Sequence, residues 1–202
     1  MESALREGGG EPGLRLIETV LWDGRRAPRW PLHLARLIPS AGMLGWSCPE
    51  VVPAGPDHPA RMRLTLDREG RVEWTVTPLP APKAAWRVGL APERLASDDP
   101  WLRVKSTRRA AYDRARAGLP EGLDEVIFLN QRREVCDGSI TTVFFDRGQG
   151  MRTPPLSSGL LPGVLRSELG CPEEVLSAED LPRVRLWVGN ALRGLIPAVW
   201  AG

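Results

Sequence analysis

Two rhythms of apolar residues run through this chain. A period of two marks strands: Arg61-Met62-Arg63-Leu64-Thr65-Leu66-Asp67 alternates, Arg68-Glu69-Gly70 turns, and Arg71-Val72-Glu73-Trp74-Thr75-Val76-Thr77 alternates again, which predicts a β-hairpin. A longer period marks a helix, with Leu32, Leu34, Leu37, Ile38, Ala41 and Leu44 near helical spacing and Pro39 expected to kink or restart it. Leu14 to Trp22 (LRLIETVLW) is apolar enough for a strand and ends at the tight turn Asp23-Gly24. Residues 1 to 13, polar and glycine-rich, are expected to be an irregular leader, and 51 to 57 a proline-punctuated loop.

Pro78 to Lys83 (PLPAPK) breaks both rhythms and is the best linker in the chain, stiffened by its three prolines. It sets the expected boundary between a small N-terminal domain, 14–80, and a larger C-terminal domain, 81–202. Beyond it a strand is expected near Trp86 to Leu90 and a helix over Thr107 to Ala117, capped by Ser106/Thr107 and ended by Gly118 and Pro120. Asp124 to Asn130, Glu134-Val135 and Thr141 to Asp146 read as strands, and Pro162 to Leu169 as a helix opening after a glycine turn. Mixed elements on both sides of the linker predict an α+β protein of two domains.

Composition narrows the class. The net charge of +2 is spread over interspersed acids and bases with no basic run, which argues against nucleic acid as a partner. Cys48, Cys136 and Cys171 are odd in number, lack Cys-x-x-Cys spacing and have few histidines near them, so no metal site is expected and a reducing cytoplasm is the simplest home. No apolar run approaches the roughly 18 residues of a membrane span, and the N-terminus has no signal-peptide core. Of the 27 Lys plus Arg, only Lys83 and Lys105 are lysines. Arginine is permanently charged, whereas a desolvated lysine amine can attack a carbonyl, the side chain of Schiff-base chemistry. Codon bias against lysine is the plain alternative.

Four segments stand in an order that decides more than any one of them: His33-Leu34-Ala35-Arg36-Leu37 with Ser40-Ala41, Lys105 with its following helix, Asp137-Gly138-Ser139-Ile140-Thr141-Thr142-Val143-Phe144, and Leu161-Pro162-Gly163-Val164-Leu165-Arg166. With Asn190-Ala191-Leu192-Arg193-Gly194 as a closing motif, residues 14 to 200 resemble the class-IV aminotransferases, the fold-type-IV family of pyridoxal-phosphate enzymes that includes branched-chain and D-amino-acid aminotransferases and aminodeoxychorismate lyase. The resemblance implies a D-amino-acid-aminotransferase-like fold with a small N-terminal α/β domain and a pseudo-barrel C-terminal domain. It also implies pyridoxal 5'-phosphate as cofactor, an amino-acid-like substrate and a homodimer.

By the same resemblance, Lys105 is the lysine that holds the cofactor and shuttles the substrate α-proton. Arg36 and the Gly163-Val164-Leu165 turn would bind phosphate, together with Ala191. Asp137, 32 residues after Lys105, stands where the family has a glutamate on the ring nitrogen. Three departures follow: aspartate is one methylene shorter, and Leu165 and Ala191 replace hydroxyl residues, leaving only backbone donors. His33 carries no expected chemistry, Lys83 is expected to be a solvated spacer, and Tyr112 a packing residue. The tyrosine that branched-chain enzymes carry five residues after the lysine is Ala110 here, and Asn190-Ala191-Leu192 looks more like aminodeoxychorismate lyase. Arg108, Arg109 and Arg193 are available for a substrate with two carboxylates. The expected reaction is therefore elimination from 4-amino-4-deoxychorismate, in folate synthesis. The alternatives are transamination of branched-chain or D-amino acids, or a degenerate member kept for binding; the weakened contacts and an N-terminus about two strands shorter than usual motivate the latter.

Overall fold

The structure is a computed structural model that describes residues 2–202, with side chains from residue 4. The chain divides into two compact units: one runs to Ala81 and takes in Val104–Arg108 as well, and the other comprises Pro82–Arg103 and Arg109–Gly202.

In the first unit an antiparallel sheet of three strands, β1 (Leu16–Asp23), β2 (Pro59–Leu66) and β3 (Val72–Thr77), is ordered as in the sequence. β2 and β3 form the expected hairpin, with Leu66 opposite Val72 and Arg61 opposite Thr77. The alternation in β2 sends Ala60, Met62, Leu64 and Leu66 inward, each at most 1% exposed. Val20, Trp22, Ala27, Ala60 and Met62 pack into one cluster that Trp30 and Trp74 cover. Helix α2 (Trp30–Leu44) runs on through Pro39 rather than restarting there, and it begins earlier than expected because Pro31 suits the first helical turn. Pro39 lies exposed, where the carbonyl its ring deprives of a donor can turn to water. Gly45, at φ 74°, ends the helix in the left-handed conformation that glycine adopts without strain.

The leader is not irregular. Glu2–Gly8 forms a short helix, α1, whose Leu5 is buried. Trp46 Nε1 donates to Gly9 O at 3.1 Å, and a Cβ at Gly9 would lie 2.8 Å from Leu44 O, so the end of α1 is fastened to the end of α2. Glycine richness here reflects close approach, which composition alone does not separate from disorder.

The second unit is a six-stranded sheet of order β6-β5-β4-β9-β8-β7, from β4 (Trp86–Leu95), β5 (Glu125–Asn130), β6 (Val135–Gly138), β7 (Thr142–Asp146), β8 (Arg185–Asn190) and β9 (Gly194–Trp200). β4 runs parallel to both β5 and β9, and the remaining pairs are antiparallel. The two strands that end this order, β6 and β7, are consecutive in the chain and meet through the turn Ser139–Thr141, with Gly138 N donating to Thr141 O at 2.7 Å. The sheet thereby curls into a nearly closed barrel. All six residues of β5 are buried because both its faces are covered. Ile127 and Leu129 join a cluster with Val88, Val135, Val143, Phe145, Val188 and Ile196, while Val126 and Phe128 join one lined by helix α3 (Ala110–Ala117). The short helix α4 (Val164–Leu169) follows β7.

Candidate active site

In the first unit the site is built on β1. Glu18 points from that strand toward α2, where His33 and Arg36, three residues apart, lie on one helix face. Arg36 grips the carboxylate with two donors, Nε to Oε1 at 2.9 Å and Nη2 to Oε2 at 2.6 Å, and His33 Nδ1 lies 2.6 Å from Oε2. Burial by itself would raise the pKa of Glu18; the Arg36 guanidinium and the His33 hydrogen bond outweigh it and hold the carboxyl at about 2. Because a carboxylate only accepts, His33 Nδ1 carries the proton, and its buried Nε2 has no hydrogen-bond partner among the described residues. His33 is thus an orienting group, with its ring stacked 6.2 Å from that of Trp30. Glu18 is a residue that the motifs did not flag. The signal for it was an acid inside an otherwise apolar strand run, where a charge has to be paired.

Lys105 is fixed against the same strand. Leu16 bridges Ser106 in antiparallel register, Ile17 N donates to Lys105 O at 2.8 Å, and Thr107 N donates to Arg15 O at 2.8 Å. Val104–Arg108 therefore acts as a short extra strand beside β1, with Lys105 half-buried between the buried Val104 and Ser106. This displaces one expectation. Ser106 and Thr107 do not cap α3, which begins at Ala110 with Arg109 as its N-cap; the Thr107 hydroxyl instead accepts Arg15 N at 3.0 Å. One strand thus positions both Arg36, through the Glu18 side chain, and Lys105, through the Ile17 amide. Arg108 pairs with Glu11 at 2.7 Å on the surface.

The second unit gathers the other predicted residues at one end of its barrel, where β6 and β8 finish and β7 starts. Asp137, 5% exposed, accepts Leu161 N on Oδ2 at 3.2 Å and the Tyr112 hydroxyl on Oδ1 at 3.4 Å. The turn after it is clasped by Glu125, a fully buried carboxylate at the head of β5. Glu125 accepts Ser139 N at 3.0 Å, Ile140 N at 3.1 Å, Thr141 Oγ1 at 2.9 Å, Val126 N at 3.0 Å and the Ser139 hydroxyl. A Cβ at Gly138 would lie 2.3 Å from Thr141 Oγ1 and 2.8 Å from Glu125 Oε2, so only glycine fits between them. Asn190 joins the next turn to this one: its amide donates to Ile140 O at 3.1 Å while its oxygen accepts Leu192 N and Arg193 N.

Gly163, the N-cap of α4, is extended, and a Cβ there would meet Thr142 Oγ1 at 2.5 Å. A Cβ at Gly189 would lie 2.6 Å from a Leu165 methyl, which places the start of α4 beside the β8 end that carries Ala191. The first hydrogen bond of this stretch is Ser167 N to Gly163 O, so the amides of Val164, Leu165 and Arg166 precede the helical ladder. The structure therefore collects Asp137, Gly163, Val164, Leu165 and Ala191 in this unit. Arg109 donates to Asp113 and to Ser139 O at 2.8 and 2.9 Å, and Arg193 lies 5.1 Å over the Trp86 ring. Tyr112 is more than packing, and Lys83, solvent-exposed as expected, also pairs with both oxygens of Asp124 at 2.7 and 2.8 Å. No group of three or more His, Cys, Asp or Glu among the described residues could hold a metal ion, and no described helix is long and apolar enough to cross a membrane.

An amine, a guanidinium, a buried carboxylate and amides ahead of a helix, opened by a glycine with no room for a side chain, are the donor types that pyridoxal phosphate calls for. Comparison with known proteins gives the family. Residues 15–199 match the family model "Amino-transferase class IV", and the chain belongs to that family. It is a pyridoxal-phosphate-dependent enzyme with the two-domain fold of type IV. Among similar proteins, one of Schizosaccharomyces pombe, provisionally named aminodeoxychorismate lyase, is 32% identical over 168 residues, 76% of this chain and 72% of its own length. A structure from Mesorhizobium loti, provisionally described as an amino-acid aminotransferase, is 40% identical with a TM-score of 0.87, covering 93% of this chain and 100% of that one. A hypothetical aminotransferase of Mycobacterium tuberculosis in its PLP-bound form shares the fold at 22% identity and a TM-score of 0.75, over 93% of this chain and 81% of that one.

Proposed function

We propose that this enzyme is a lyase that splits 4-amino-4-deoxychorismate into 4-aminobenzoate and pyruvate. The observation that carries the reading is the likeness to the Schizosaccharomyces pombe protein across most of both chains. Ala110 in place of a tyrosine supports it, because the position opens α3 with a methyl group alone. Bound pyridoxal phosphate supplies an electron sink conjugated to the carbon that loses its proton.

In this reading Lys105 Nζ would hold the cofactor and, as a free amine, would take the substrate α-proton. The carbon–oxygen bond to the enolpyruvyl group breaks, and the departing enol takes up a proton to become pyruvate. Asp137 would hold a proton on the ring nitrogen of the bound cofactor. Arg36 and the amides of Gly163, Val164, Leu165 and Ala191 hold the phosphate. The Arg36 guanidinium is gripped by Glu18 through Nε and Nη2, so the arginine is oriented before any ligand arrives. The substrate carboxylates fall to Arg108, Arg109 and Arg193. The Arg108–Glu11 pair is exposed, and exchanging it for a carboxylate of the substrate costs little.

The test is pyruvate release, followed with a coupled lactate dehydrogenase, from cofactor-loaded enzyme and 4-amino-4-deoxychorismate. Turnover that vanishes in Lys105→Ala along with the visible absorbance of the bound cofactor supports the reading; no pyruvate above the Lys105→Ala background sinks it. The Mesorhizobium loti likeness favours a second reading, transamination. That reading requires an amino acid alone to convert the cofactor to its amine form.

A further inference from the structure

We propose that Tyr112 is a positioning residue for Asp137: its hydroxyl fixes Oδ1 so that an aspartate serves where a longer carboxylate is the family's habit. This rests on the reading above and deepens it. The two residues meet at 3.4 Å inside one unit, Tyr112 from the first turn of α3 and Asp137 from β6.

The geometry is over-determined on the tyrosine's side. The Tyr112 ring packs on Phe128 at 4.8 Å between centroids, and the Arg109 guanidinium covers it at 5.6 Å. Arg109 also donates to Ser139 O, so α3 grips the Asp137–Thr141 segment twice, once through each side chain. Charged and titratable groups near the phenol are Asp137, Cys136 and Arg109; burial first, then the Asp137 charge, pushes the Tyr112 pKa well above its ordinary value. The phenol therefore keeps its proton, and beside a carboxylate it donates.

A short side chain makes this matter. Aspartate has one rotatable bond fewer than glutamate and cannot reach for a ligand, so its oxygens have to be presented at a set angle. Leu161 N holds Oδ2 and Tyr112 holds Oδ1, which fixes rotation of the carboxylate about its Cβ–Cγ bond. Each oxygen can accept more than one hydrogen bond, so the tether is compatible with a further donor. A donor on a carboxylate also favours its charged form, the form that stabilises a protonated ring nitrogen.

The test is Tyr112→Phe, which keeps the ring on Phe128 and removes only the hydroxyl. In the full-length protein stripped of cofactor, with 13C-labelled aspartate, the Asp137 carboxyl is expected to titrate at higher pH in the variant. With cofactor, affinity should fall by roughly tenfold, the effect of one hydrogen bond to a charged group, and the visible absorbance should change with pH in a range where the parent's does not. Unchanged carboxyl titration together with unchanged affinity and spectrum overturns the proposal. If the parent protein takes up no cofactor, the lyase reading falls; the titration, which needs no cofactor, still decides whether the hydroxyl holds Asp137.

Discussion

Among the described residues each unit of this protein buries one glutamate, and the two are held by different means. Glu18 is matched by charge: a guanidinium grips both its oxygens and a histidine adds a third contact. Glu125 is matched by dipoles: three backbone amides and two hydroxyls surround it, and the nearest cation contact is Arg116 at 3.8 Å. The first arrangement fixes a side chain, Arg36. The second fixes backbone, the turn that follows Asp137. Charge pairing orients a charged partner, whereas a ring of neutral donors shapes a loop without adding charge to it.

The two modes break differently. Glu125→Ala strands five donors in the interior and is expected to cost about 4 kcal/mol, as several buried groups lose their acceptor together. Removing the cation as well, in Glu125→Ala/Arg116→Ala, should recover nothing. Glu18→Ala is expected to cost about 3 kcal/mol, chiefly by leaving a guanidinium buried without its counter-charge, and Glu18→Ala/Arg36→Ala should recover a good part of that. Urea unfolding measures all four variants. No recovery in Glu18→Ala/Arg36→Ala, or recovery in Glu125→Ala/Arg116→Ala, would erase the distinction.

Acid sharpens the contrast. Glu18 sits at about 2 in the folded chain against an ordinary 4.5, a depressed pKa. Its stabilisation is therefore fully present above about pH 4.5 and is lost as pH falls through about 2. At neutral pH it amounts to about 3 kcal/mol, since a tenfold change in a protonation equilibrium is worth about 1.4 kcal/mol. In Glu18→Gln that slope should be missing from a plot of unfolding free energy against pH between 5 and 2. A slope identical to the parent's would mean that Arg36 and His33 do not hold the carboxylate.

How far the sequence announces all this depends on the range of the interaction. The hairpin of β2 and β3 was legible because its alternation and its turn lie within 17 residues. The α2 helix was legible for the same reason, and Pro39 misled only because a proline on an exposed face costs less than its rule suggests. Ser106 and Thr107 looked like helix caps, which is what those residues do locally; Arg15, 92 residues from Thr107, claimed the hydroxyl instead. The family was readable from ordered motifs, those around Arg36, Lys105, Asp137 and Gly163. Glu18 and Glu125 were overlooked, although each is an acid within an apolar strand run, and such an acid demands partners that only the fold can name.

Lys83 and Asp124 complete the comparison from the solvent side. Lys83 Nζ lies 2.7 Å from Asp124, closer than any amide lies to Glu125, yet the lysine side chain is 54% exposed and the aspartate 20%. Water and salt screen the pair, and ordering a long side chain offsets much of what remains. Asp124 is additionally fixed by the Arg87 amide at 2.9 Å, so it keeps its place without the lysine. Lys83→Met is accordingly expected to change unfolding free energy by less than about 1 kcal/mol, with that small change fading in high salt, and to leave the cofactor absorbance as it is. A loss comparable to that of Glu18→Ala would show that distance governs these carboxylates and burial does not. The smaller effect would set the chain's two lysines apart by burial: one on the surface closing an exchangeable ion pair, the other pinned beside β1 where its amine can be put to chemical use.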